Sequence, residues 1–146
     1  MSISVSISLS GLDLEVLAKS VPSEVLPAFV DRLAELCFQV MYRRAPWRSG
    51  FLAMSITKEV NGLTAKVGPT VPYAAFVSQG TGPHDIYPVK ALALAFLGGS
   101  LGGLVFTKHV RHPGTRANPY IKDTADETVD NVQEVFHGVW TEYVET

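Results

Sequence analysis

Cysteine is almost missing from this chain: a single one, Cys37, stands among 146 residues. One thiol excludes an internal disulfide and any multi-cysteine metal site. Cys37 falls in a helical apolar pattern, which predicts a buried packing residue and not a reactive nucleophile. An excess of either charge is also lacking, since 12 Lys and Arg face 14 Asp and Glu for a net charge of -2. A protein that works by neutralising phosphates would be far more basic. No stretch approaches the ~20 apolar residues of a membrane span. The first ten residues alternate serine with apolar side chains and carry no cation, so no secretory leader is expected, and the chain should be made in cytoplasm.

What is present describes a globular domain. Hydrophobic residues make up 47% and charged residues 18% of the chain, and no internal repeat or linker divides residues 1–146, so one domain is expected. In 1–10, Ile3, Val5, Ile7 and Leu9 share one face at a period of two, a strand or arm expected to join its own sheet or a neighbouring subunit's. A short helical turn is expected at 12–19. Leu26, Phe29, Val30, Leu33, Leu36, Cys37, Val40 and Met41 then recur at helical steps, with Pro22 and Ser23 before the start and Pro46 at the end.

Asn61-Gly62 is a type I′ hairpin signal within 51–68. A two-residue turn there sets Val60 opposite Leu63 and Ile56 opposite Val67. Leu52, Met54, Ile56, Val60, Leu63, Ala65 and Val67 would share a face that only Lys58 interrupts. Tyr73, Phe76 and Val77 are spaced for a short helix stopped by Gly80. Residues 91–97 fit strand or helix equally, while 104–110 read as a strand and 98–103 as a flexible connection of unassigned role. Asn118 as N-cap and Pro119 at the first helical position open a terminal helix whose stripe is Ile121, Ala125, Val129, Val132, Phe136, Val139 and Tyr143. The expected fold class is α+β, an antiparallel sheet (a meander with a long hairpin) packed by a long helix in the N-terminal half and a long C-terminal helix.

Catalytic chemistry is scarce. Gly98 and Gly103 match the opening of a phosphate loop, but Leu104 and Val105 occupy the positions that need lysine and Ser/Thr. His109 and His112 lie three apart, with His84 distant and no third ligand convergent on them, so neither a metal site nor a cofactor is expected. No nucleophile elbow occurs, and the chain is not expected to be an enzyme. Asp123, Asp126, Glu127 and Asp130 share a helix face, where they offset the helix dipole. Lys108, Arg111 and Arg116 precede that acidic face. A basic segment beside an acidic one suits head-to-tail pairing between copies, which makes all seven candidate subunit-interface residues.

Three phrases stand in a suggestive order: RRAPWRSGFLAMSI (43–56), PYAAFVSQGT (72–81) and HPGTRANPYI (112–121). Together they resemble the tail-component family of lambda-like long-tailed bacteriophages, small neck proteins of tail completion and head–tail joining. The matching motif positions are Arg48, Gly50, Gly80, Thr81, Pro113, Gly114, Asn118 and Pro119. The chain departs at Ser78, where the pattern has glutamate and a salt bridge to Arg48 would be lost, and at Tyr120, where it has phenylalanine. The resemblance implies a structural virion protein located in the neck or tail and assembled in host cytoplasm. It implies a homo-oligomeric ring of sixfold symmetry, with a head-side connector or stopper on one side and a tail terminator or tail tube on the other. Genomic DNA would pass through the lumen without sequence readout. A tail terminator ring is the sibling alternative, and a small non-phage binding module is the other.

Overall fold

The computed structural model describes residues 3–8, 20–98 and 102–146, and it is α+β. The expected helical turn at 12–19, together with Leu9 and Gly11, lies outside the described residues. Helix α1, Val25–Arg44, is the spine of the molecule. Its apolar stripe is buried as expected, with Val30, Ala34, Cys37 and Met41 fully enclosed and Leu36 only partly so. Pro27 is tolerated because first-turn N–H groups have no intrahelical acceptor to lose. No side chain caps the start; the Val25 N–H reaches the Pro22 carbonyl at 3.0 Å. Ala45 takes the extended backbone that a following proline demands, and the helix stops there.

A three-stranded antiparallel sheet in the order β1-β3-β2 lies against α1, formed by β1 (Val5–Ser8), β2 (Ile56–Asn61) and β3 (Thr64–Pro69). The N-terminal strand therefore has its partner within the chain, Val5 opposite Val67 and Ile7 opposite Ala65. The β2–β3 register differs from expectation by two residues: Val60 faces Ala65, and Ile56 faces Pro69. Gly62 and Leu63 are the turn residues, and only Gly62 has positive φ, at 60°. A type I′ turn would need positive φ at Asn61 as well, whereas glycine at the first central position is the II′ requirement. A slip of two keeps every side chain on its face, so hydrophobic alternation cannot distinguish the two registers. Thr64 Oγ1 donates to the Asn61 carbonyl at 2.9 Å and closes the turn.

Residues 51–54 are not strand. Gly50 (φ 83°) turns the chain into a single helical turn, α2 (Phe51–Met54), with the Met54 N–H on the Gly50 carbonyl at 2.9 Å. Leu52 is buried and Met54 is 65% exposed, so Met54 leaves the expected face. Lys58 interrupts that face for a reason: its Nζ reaches Glu35 at 2.9 Å and Asp31 at 3.4 Å on α1.

Helix α3 (Ala74–Gln79) ends at Gly80 as expected. Two further ladders follow. β4 (His84–Ile86) pairs with β7 (Val110–His112), and β5 (Leu94–Gly98) pairs with β6 (Gly103–Thr107). The ambiguous 91–97 segment is thus strand from Leu94 on. The expected strand 104–110 is split, because Thr107 Oγ1 donates to the His109 carbonyl at 2.9 Å and draws the chain into a bend.

The C-terminal helix is broken at Asn131 into α4 (Tyr120–Asp130) and α5 (Val132–Val144). Asn131 Nδ2 donates to the Glu127 carbonyl at 2.7 Å, competing for a helix acceptor. The buried side of α4 is Tyr120, Ile121, Thr124 and Thr128, while Val129 is 69% exposed, contrary to its expected place in the stripe. Each threonine hydroxyl bonds the carbonyl four residues back, at 2.6 and 2.8 Å, and so enters the core satisfied. Both helices pack on α1, where Phe29 meets Phe136 edge-on at 5.3 Å.

Candidate assembly surface

The three family-like phrases meet at one corner of the molecule. The first supplies Pro46, Arg48, Ser49, Gly50 and Leu52 to a cleft of about 520 Å³ whose opposite wall is Tyr73 and Val77 of the second phrase. The second joins the third through paired backbone hydrogen bonds between Thr81 and Thr115, at 2.9 and 3.0 Å, and through the Asn118 N–H on the Val77 carbonyl at 3.0 Å. Thr81 Oγ1 also accepts from the Thr115 N–H.

Gly114 is the tightest point of that corner. Its φ of 90° suits the second central position of a type II turn after Pro113, and a Cβ there would lie 2.2 Å from the Thr81 carbonyl oxygen. Gly80 is pressed in the same way against Thr115 and Ala117. The helix start differs by one residue from expectation: α4 begins at Tyr120, with no side-chain cap. Asn118 instead accepts the Tyr120 N–H on its carbonyl at 2.8 Å, and its own N–H goes to the Val77 carbonyl. Ser78 is buried, and among the described residues Arg48 makes no ion pair.

The charged candidates divide into two groups. Glu127 is held within the chain by Arg43 and Arg44 from the last turn of α1, and Arg44 hydrogen bonding, aided by Arg43, keeps its carboxyl below the usual range. Asp123 lies 3.9 Å from Arg44, and Asp126 pairs with Lys122 at 2.7 Å. Lys108, Arg111, Arg116 and Asp130 make no ion pair among the described residues, and all four are exposed. The basic cluster is therefore open, while much of the acidic face is already countered.

The histidines come closer together than expected. His84 and His112 face each other across the β4–β7 ladder with ring centroids 5.0 Å apart, and His109 Nε2 lies 2.8 Å from Asp85 Oδ1. His84, Asp85 and His109 are exposed, and among the described residues no three His, Cys, Asp or Glu could hold a metal ion. Cys37 is buried, and desolvation pushes its thiol up.

Charge alone misses two open surfaces that are apolar. Phe51 (64% exposed), Met54, Val71 and Tyr73 line one groove beside the cleft. The β5–β6 hairpin exposes Leu97 (76%) and Phe106 (66%), and among the described residues no other helix or strand packs substantially against it. The sequence signal for the second surface was available: residues 91–107 contain no charged side chain and are flanked by Lys90 and Lys108. Among the described residues no helix is long and apolar enough to cross a membrane. Comparisons of the chain with protein-family models, with curated proteins and with solved structures find no match.

Proposed function

We propose that the chain is a ring-forming tail-completion or head–tail joining protein of a phage neck, linking the head connector to the tail tube. The observation that carries the reading is the packing of the three family-like phrases into one corner. Segments far apart in sequence and alike in one family are here joined by the Thr81–Thr115 bridge and the Tyr73–Val77 cleft. A subunit that works only in assembly also explains why so much apolar surface faces solvent. DNA would cross the lumen held by no counterion release, in keeping with the net charge of -2.

Mass photometry and negative-stain imaging test the reading: a closed ring is expected, alone or on addition of the tail-tube protein. A monomer that persists with that protein present refutes it and favours a small binding module. Charge adds a second test. Reversing Arg116 or Asp126 singly should weaken assembly, and reversing both should partly restore it; unchanged oligomer size in both single variants removes charge pairing from the interface.

A further inference from the structure

We infer that the β5–β6 hairpin of one copy docks into the apolar groove at α2 and α3 of a second copy, an inference that rests on the self-assembly just proposed. A lone two-stranded hairpin is marginal in water and needs an apolar surface to lean on. Among the described residues no other helix or strand gives this one a substantial surface. Its register sets Ala95 opposite Phe106 and Leu97 opposite Leu104, which gathers Leu97, Leu104 and Phe106 on one face. Phe96 and Val105 occupy the other face, 41% and 40% exposed. The Leu97, Leu104 and Phe106 face leaves on the order of 400 Å² open, the size of the largest patch on an ordinary monomer, which is often functional.

The receiving surface is of matching chemistry. Phe51, Met54 and Tyr73 are between 43% and 65% exposed. They also leave on the order of 400 Å², so the two surfaces match in size. Phe51, Met54 and Tyr73 form the groove, and Tyr73 continues it into the 520 Å³ cleft beside Pro46 and Val77. A second copy always brings both surfaces in equal number. Because they are different surfaces, the contact is head to tail, and repeating it generates a ring or an open filament.

Two surface variants test this, Leu97→Asp/Phe106→Asp on the hairpin and Phe51→Asp/Met54→Asp in the groove. All four residues are at least 64% exposed, so circular dichroism and melting temperature should stay near wild type. Size-exclusion chromatography with light scattering should show each variant alone as a 15.8 kDa monomer. A mixture of the two should stop at dimers, since one intact hairpin meets one intact groove. Should the groove variant misfold, Leu97→Cys/Met54→Cys oxidised in the assembly provides the same test. It should give a ladder of disulfide-linked multiples, where each single variant gives no ladder. Rings of normal size from the hairpin variant, or no ladder, overturn the inference and leave the ring reading standing. Open filaments that the hairpin variant abolishes uphold the inference and overturn the ring. A wild-type chain that stays monomeric at every concentration, with the tail-tube protein present as well, overturns both.

Discussion

Replacing Tyr120 by phenylalanine should stabilise this protein. Tyr120 is 1% exposed, and among the described residues its hydroxyl has no hydrogen-bond partner. A buried polar group stripped of water and left unpaired costs roughly 1–3 kcal/mol, and phenylalanine keeps the ring while removing the group. Allowing for the small void left by the oxygen, the gain should be about 1 kcal/mol. That corresponds to about 2–4 °C in melting temperature for a chain of this size. Urea unfolding should show a higher midpoint at unchanged m. Alkaline titration supplies an independent check. Burial, and after it the neighbouring Tyr73, pushes the Tyr120 phenol up from 10.0 to about 12. Between those values the unfolded chain has released this proton and the folded chain has kept it, so rising pH favours unfolding. Wild-type stability should fall there by up to ~1.4 kcal/mol per pH unit from this group, and the Phe variant should be spared that loss. Its advantage should therefore widen above pH 10. A variant destabilised by more than ~0.5 kcal/mol would show that the hydroxyl is satisfied, and an advantage constant from pH 8 to 12 would show that burial does not push the phenol up.

Two glycines with positive φ should respond very differently to alanine. Gly114→Ala drives a Cβ to within 2.2 Å of a backbone oxygen and should cost more than ~2 kcal/mol in urea unfolding, while Gly62→Ala meets open space and should cost about 1 kcal/mol. Equal costs would mean that the Thr81–Thr115 corner is not tightly packed. Cys37, buried with its thiol pushed up, should resist a thiol reagent in the folded protein and react at once in denaturant. Rapid labelling of the native chain would contradict its place in the core.

How far the structure can be read from the sequence depends on what each signal reports. Helix α1 was legible because its apolar period is unbroken from Leu26 to Met41 and proline bounds it. The β2–β3 pairing was legible but its register was not, because a shift of two residues preserves both faces. Val129 was placed wrongly because apolar periodicity counts valine and overlooks threonine. Thr124 and Thr128 satisfy their hydroxyls on their own helix and pass as core residues. Among the candidate residues, the corner glycines were marked by the turn chemistry of Pro113-Gly114 and the stop at Gly80. The capture of Glu127 by Arg43 and Arg44 spans more than eighty residues, and no local pattern announces it. The apolar groove was missed for a related reason: Phe51, Met54 and Tyr73 look like core until the left-handed turn at Gly50 directs the first two outward.

The β4–β7 ladder and the Thr81–Thr115 bridge together clamp the chain on either side of the hairpin. Everything between Ile86 and Val110 hangs from that clamp as an excursion that the core does not require. Its length and its side chains can therefore change without disturbing the packing of the body that holds it.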